Sequence, residues 1–146
     1  MAAGVEYRIV EYGPVPDLAT AARLRGIAVD RLLKTMVVRR GPADFVLVLV
    51  PGDRIVDWAK LRDHLGVRRL SFADEAEALA ATGYRRGAIT PFGAGEWPVL
   101  VDAAVPRAGE ISLGGGERGR AIHIDGADLA DAIGGHRVDV TKRIAS

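Results

Sequence analysis

Apolar and polar positions in this chain arrange themselves as short strands interleaved with short helices. Residues 5–10 alternate with a period of two, as a half-buried strand does. Gly13-Pro14 and Pro16 break that pattern, and Asp17 is a predicted cap for a helix that ends at Arg25-Gly26. A short helix over residues 29–33 then leads into a strand that carries Lys34. Gly41-Pro42 turns the chain, and residues 45–50 return as an unbroken apolar run, the mark of a central strand buried on both faces. Residues 53–65 read as an amphipathic helix, with Ile55, Trp58, Leu61 and Leu65 on one face and Gly66 as its C-cap. Residues 67–70 form a predicted short strand. Ser71 is then the predicted cap of a helix over 73–81, with Asp74 and Glu75 in its first turn, where carboxylates suit the helix dipole.

The second half continues in the same manner. Residues 97–101 are an apolar strand ending in Asp102. Residues 110–113 and 120–124 pair across the glycine-rich turn 114–119. Asp125 caps a helix over 127–133, Gly134-Gly135 stops it, and residues 137–140 form the last predicted strand. Hairpins beside crossover helices predict an α/β fold whose sheet is mixed rather than purely parallel. No internal repeat, low-complexity tract or linker divides the 146 residues, so a single domain over 1–146 is expected.

Composition narrows the chemistry. Cysteine is absent, which excludes disulfides, thiolate nucleophiles and cysteine-held metals. The first residues lack the basic and apolar regions of a signal peptide, and the longest apolar run is too short to cross a bilayer, so a soluble, cytoplasmic protein with no membrane partner is expected. Twenty basic residues stand against 19 acidic ones, a net charge of +1, far from the basic excess of a protein that grips a long nucleic acid. The three Arg-Arg pairs, 39–40, 68–69 and 85–86, read first as solvated surface charge.

Covalent catalysis is poorly supplied. Ser71 is explained as a cap, Ser146 is terminal, and Ser112 has no evident histidine relay in the sequence. His64, His123 and His136 are scattered without metal-ligand spacing, so neither a metal nor another cofactor is expected. The Gly114-Gly115-Gly116 run lacks a following helix N-terminus and reads as a hairpin turn rather than a phosphate cradle. Lys34 stands out, because the chain has 17 arginines and only three lysines, and this one lies among Leu32, Leu33, Met36, Val37 and Val38. A cation so flanked either snorkels to the surface or points into a site. The stretch Thr82-Gly83-Tyr84 through Gly93 fixes its backbone with glycine and proline and supplies no acid, base or nucleophile. Asp102 serves equally as a turn former or as a ligand for an amine.

An ordered set of short motifs then acquires meaning together. Leu33-Lys34-Thr35, Pro51-Gly52-Asp53, Thr82-Gly83-Tyr84 with Gly87-Ala88-Ile89-Thr90-Pro91-Phe92-Gly93, Pro98 to Asp102, Gly115-Gly116-Glu117-Arg118-Gly119 and Ala127-Asp128-Leu129 cover nearly the whole chain. In order and spacing the set resembles the YbaK/EbsC family, free-standing relatives of the editing domain inserted in bacterial prolyl-tRNA synthetases. The resemblance implies an α/β fold with a mixed, strongly curved, barrel-like sheet and flanking helices. It implies a trans-acting aminoacyl-tRNA deacylase, hydrolysing the ester between a small wrong amino acid, such as alanine or cysteine, and the tRNA's terminal adenosine. The partners it implies are the acceptor end of aminoacyl-tRNA, that of tRNA-Pro first, and prolyl-tRNA synthetase.

On the same resemblance Lys34 is the catalytic side chain, and residues Gly87, Ala88, Ile89, Thr90, Pro91, Phe92 and Gly93 contact the aminoacyl group through their backbone. Tyr12, Asp102, Gly114 and Gly115 complete the expected substrate contacts, and a substrate hydroxyl serves as general base. Two positions depart from the cysteine-specific branch, which carries Ser where Gly114 stands and Asp where Ala121 stands. The rival reading is a binding module that keeps the pocket for aminoacyl-adenosine or another small molecule beside a synthetase.

Overall fold

A computed structural model describes residues 7–11, 18–85, 88–92, 97–117, 120–133 and 136–144. Its centre is strand β3 (Asp44–Pro51), buried from Phe45 onward as the unbroken apolar run requires. Strand β2 (Leu33–Gly41) lies antiparallel to it, with Lys34 opposite Val50 and Thr35 opposite Leu49. On its other side β3 runs parallel to β6 (Val99–Asp102), which in turn runs parallel to β9 (His136–Val138). The two-residue β5 (Ser71–Phe72) closes the order β5-β2-β3-β6-β9.

Alternation along β2 and β3 divides the core. Val38, Val46, Val48 and Val50 face one way, with Met36 against them, and pack under helix α2 (Trp58–Leu65) through Leu61, Trp58 and Leu65. Leu33, Val37, Phe45, Leu47 and Leu49 face the other way, into two clusters completed by Ile89, Phe92, Leu113 and Leu129. A second sheet supplies that far side: β1 (Tyr7–Glu11), β8 (Arg120–Asp125) and β7 (Glu110–Gly114) in the order β1-β8-β7, all antiparallel. Helix α3 (Glu75–Thr82) packs through Ala78 and helix α4 (Gly126–Ile133) through Leu129. Helix α1 (Leu18–Arg25) and a 3₁₀ turn at Val29–Arg31 form a smaller cluster with Leu32, whose bridge to Ser112 joins the two sheets.

The mixed α/β architecture is as expected, but the described strands form three separate open sheets and do not close into a barrel. Other differences are local. Residues 53–56 are not helix: Arg54–Val56 is strand β4, paired with β10 (Thr141–Arg143), a partner that lies far along the sequence. The helix starts only at Asp57, whose side chain accepts the Lys60 amide. Residues 67–70 form no strand, and pairing begins at Ser71, which sits opposite Arg39. The cap of α3 is therefore Asp74, in a reciprocal capping box with Glu77. The proposed stops and caps at Asp17 and Gly134-Gly135 lie outside the described residues.

Residues 88–92 dock on the end of β7 through a missing side chain. A Cβ on Gly114 would stand 2.3 Å from the Ile89 carbonyl oxygen, so only glycine lets the two backbones meet. The Gly116 amide donates to the Ala88 carbonyl at 2.9 Å, and the Tyr84 hydroxyl to the Phe92 carbonyl at 3.3 Å. Gly114→Ala is expected to destabilise the protein by about 1–3 kcal/mol, the usual cost of overpacking. Urea unfolding measures it, and an unchanged midpoint would mean that the loop yields freely.

The outer face of β7 and β8 gathers polar groups that the sequence kept apart. Ser112 and His123 face each other across the ladder, and His123 Nδ1 stands 3.1 Å from Glu110 Oε1, off the line of a hydrogen bond. Ser112 is wholly buried and its hydroxyl accepts from Arg25 Nη1 at 3.1 Å, so it is no nucleophile open to substrate. Burial pushes the His123 pKa down, leaving the ring neutral at pH 7. Arg8 grips Glu110 through two 2.8 Å bonds and, with a smaller share from His123, holds its carboxyl at about 2. A carboxyl held low stabilises the fold above its unfolded pKa and loses that contribution as pH falls through the folded value. Because the Glu110 side chain is 41% exposed, solvent screening limits the effect to about 1 kcal/mol or less. Glu110→Gln should lower stability by that amount at pH 7, and the gap to wild type should vanish near pH 2. A gap that persisted in unfolding curves at pH 2 would assign the loss to packing instead.

Candidate functional site

Lys34 enters at the start of β2, half-buried, on the α2 side of the sheet. Its ammonium donates to the Arg54 carbonyl at 2.7 Å. That bond depends on the turn at Gly52, which brings β4 back beside β2. A Cβ at Gly52 would lie 2.5 Å from the Val29 carbonyl oxygen, and the Gly52 amide donates to the Leu32 carbonyl at 2.8 Å. Burial pushes the Lys34 pKa below the ordinary lysine value, and the nearby Asp53 carboxylate opposes part of that shift. Lys60, by contrast, is paired directly with Asp139 at 2.9 Å. A cation bound to a neutral carbonyl keeps its charge for an incoming group.

Asp102 ends β6 on the same side of the sheet. One carboxylate oxygen accepts the Val140 amide at 3.1 Å and the other the Ala104 amide at 2.9 Å. Arg54 stands 3.9 Å from it and spends its shorter contacts on Thr141, the hydroxyl at 2.7 Å and the carbonyl at 3.3 Å. Asp102 is almost fully buried and ties the end of β6 to the approach of β10. It thereby positions β4, whose Arg54 carbonyl holds Lys34.

On the opposite side of β2 the loop forms a wall. Ala88, Ile89, Thr90, Pro91 and Phe92 are all buried, with the Thr90 hydroxyl accepting the Phe92 amide at 3.2 Å. Gly114 and Gly115 carry this wall: a Cβ at Gly115 would lie 2.7 Å from the Arg120 carbonyl oxygen, to which its amide bonds at 3.0 Å. The structure thus brings Ala88 to Phe92, Gly114 and Gly115 together. It places Lys34 and Asp102 on the other face of the strands between them, and among the described residues no hydrogen bond joins the two groups. Gly87, Gly93 and Tyr12 lie outside the described residues.

Thr35 is the residue that sequence reasoning passed over. Strand alternation turns it away from Lys34 and toward the side of Leu33, Leu49 and Ile89, and its buried hydroxyl has no hydrogen-bond partner among the described residues. An unpaired buried hydroxyl costs about 1–3 kcal/mol, so a polar group that reached it would recover that penalty. Its signals in the sequence were its place in the Leu33-Lys34-Thr35 motif and a threonine where the strand pattern calls for an aliphatic residue. Gly114 and Ala121 prove to be direct cross-strand partners, so the two departures from the cysteine-specific pattern fall at one place.

Comparisons with known proteins bear on the family and the fold. The family model of the aminoacyl-tRNA editing domain matches residues 13–132. A proline–tRNA ligase of Thermosipho africanus is 30% identical over 104 residues, covering 71% of this chain and 18% of the ligase. The chain spans about a fifth of the length of such ligases. EbsC of Enterococcus faecalis, a proposed Cys-tRNA(Pro)/Cys-tRNA(Cys) deacylase, is 24% identical over 143 residues, covering 95% of this chain and 87% of its own. Among solved structures, a proposed trans-editing enzyme for prolyl tRNA synthetase superposes with a TM-score of 0.85 at 23% identity, over 93% of this chain and 87% of that one. A hypothetical protein does so with a TM-score of 0.86 at 23% identity, over 95% and 93%. At such identities the superpositions speak for the fold, and the family match, which spans β2, the loop and the β7–β8 hairpin, speaks for descent. The chain belongs to the aminoacyl-tRNA editing domain family.

Proposed function

We propose that the protein hydrolyses the ester of mischarged aminoacyl-tRNA in trans, removing a small amino acid from tRNA-Pro. The observation that carries this reading is Lys34, a half-buried ammonium bonded to a carbonyl rather than a carboxylate. Family membership supports the reaction class, and the names of EbsC and of the proposed trans-editing enzyme support the tRNA. Water attacks the ester carbonyl, charge collects on the carbonyl oxygen, and the bond to the ribose oxygen breaks. A hydroxyl of the substrate takes the proton from water and returns it to the leaving ribose oxygen. Free amino acid and an intact tRNA 3′ end result. The Lys34 ammonium, on the second residue of β2, stabilises the developing oxyanion or holds the ribose oxygens, and the acyl group passes the end of that strand to meet the immobile backbone of 88–92 on its other face.

Size selection follows from a wall of backbone and glycine, which excludes larger side chains by contact. With Gly114 and Ala121 facing each other, that spot offers neither hydroxyl nor carboxylate to a thiol, which favours alanine over cysteine as the residue removed. The acceptor end is the portion of tRNA engaged, Asp102 acts by positioning β4, and prolyl-tRNA synthetase is the partner that would deliver the substrate. A tRNA substrate is the ground on which we assign the protein to the cytoplasm. No described helix is long and apolar enough to cross a membrane.

Lys34→Ala should lower kcat for mischarged tRNA by about 10²–10³, the cost of removing one oxyanion donor. Its thermal midpoint should remain near that of wild type, since the lost bond is a single contact to a carbonyl. Full activity in the variant would remove Lys34 from the mechanism, and loss of activity only through unfolding would make the lysine structural. If the ammonium is the active form, activity declines as pH rises through the lowered Lys34 pKa. A kcat profile measured in alkaline buffers should bend before the ordinary lysine value, whereas a flat profile to that value would refute the role.

A further inference from the structure

Every arginine and lysine of a near-neutral chain must be either neutralised at home or free for a partner. With a net charge of +1 the molecule as a whole offers a polyanion almost no attraction, so only a local excess can hold one. Much of the surface charge is already spent: Arg8 on Glu110, Arg39 on Glu77, Arg40 on Asp44, Lys60 on Asp139 and Arg120 on Glu11. Five cationic side chains in one region have no ion pair or hydrogen bond among the described residues: those of Arg62, Arg68, Arg69, Lys142 and Arg143.

Their placement follows from the fold. Gly66 ends α2 in the left-handed conformation and sends Arg68 and Arg69 outward into solvent. Arg62 and Arg68 line an open concavity of about 510 Å³, kept shallow by Ala59 and Gly66, with Asp63 as its one carboxylate. At the other end of α2, Lys60 bonds to Asp139 at 2.9 Å and to the Thr141 carbonyl at 3.1 Å, which fixes β10 beside the helix. There Lys142 and Arg143 lie exposed, Arg143 opposite Arg54 in the ladder. The Arg54 carbonyl is the group that holds Lys34, so the free cations begin beside the proposed catalytic residue and extend along a helix ~12 Å long, roughly three phosphates of one strand at about 3.4 Å of helix axis each.

We propose that this surface, from β10 along α2 to Arg69, binds the phosphate backbone of the tRNA acceptor stem and presents its 3′ end to Lys34. The inference rests on the tRNA-deacylase reading above and adds the surface that takes the nucleic acid. Arginine suits the task, because its planar fork meets two phosphate oxygens at once.

Binding of uncharged tRNA-Pro, followed by fluorescence anisotropy across a salt series, tests the surface without requiring turnover. The triple variant Arg62→Gln, Arg68→Gln, Arg69→Gln should bind at least tenfold more weakly near 0.1 M salt. Its slope of log Kd against log salt should be shallower by about 2–3, since each phosphate contact contributes roughly 0.7–0.9. Lys142→Gln with Arg143→Gln should reduce the slope by about 1, since neighbouring strand residues point to opposite faces and one of the two serves the surface. Arg40→Gln, which removes a cation already neutralised by Asp44, should change neither quantity. Wild-type affinity and slope in both multiple variants would overturn the proposal, as would an equal effect from Arg40→Gln. Hydrolysis of mischarged tRNA, assayed in parallel, separates the two readings. Arginine-dependent binding without turnover by wild type leaves the surface standing and sinks the deacylase. Turnover with unchanged KM in both multiple variants does the reverse.

Discussion

Two-sided burial of β3 is the constraint on which the rest of the structure depends. Each residue from Phe45 to Pro51 is buried, with Val46, Val48 and Val50 under α2 and Phe45, Leu47 and Leu49 under the loop and second sheet. A strand apolar on both faces does not set its own register, because a slip of one residue exchanges one apolar set for another. The register is set by β2. Slipping that strand by one position would turn Lys34 into the space shared by Leu33, Leu49 and Phe92, and burying an unpaired ammonium there costs several kcal/mol. The lysine proposed for catalysis thus also specifies how the central hairpin pairs. The same alternation delivers Thr35 to the loop side.

Close backbone approaches supply what side chains do not. Gly52 admits the Val29 carbonyl and Gly114 admits the Ile89 carbonyl, each at a distance no Cβ would permit. The first approach turns β4 back so that a carbonyl meets Lys34, and the second presses residues 88–92 onto β7. Both surfaces beside β2 are therefore built from main chain, whose position is set by hydrogen bonds and sheet pairing rather than by rotamers. Such walls discriminate by shape, which suits selection among small acyl groups better than recognition of a particular functional group.

What could be read from the sequence divides along the same line. The apolar run of β3, the β7–β8 hairpin, the Gly66 stop and the helix after Asp125 are local patterns, and they appear where the residues predict. β4 was hidden because its partner, β10, lies far along the chain, and Ile55 continues the apolar spacing of the helix that follows it. Ser71 outranked Asp74 as a cap only while the pairing of Ser71 with Arg39 was unseen, although the Asp74–Glu77 spacing was itself a capping signal. At the site, Lys34 was legible as the wrong cation in an apolar stretch, and the loop as a rigid one. The Ser112–His123–Glu110 adjacency, the cross-strand pairing of Gly114 with Ala121 and the orphan hydroxyl of Thr35 all depend on strand register, which no short window of sequence contains.

The choice of lysine at position 34 in a chain of arginines follows from these surroundings. A guanidinium offers five donors in a fixed plane, and the space beside β2 provides one carbonyl, that of Arg54, with Asp53 acting only at longer range. Most of those donors would be desolvated without partners, whereas an ammonium satisfies the carbonyl with one proton and can turn the others toward a substrate. Burial also makes lysine titrate closer to neutrality, which arginine would not do. Arginine instead occupies the exposed positions beyond Gly66, where desolvation is slight.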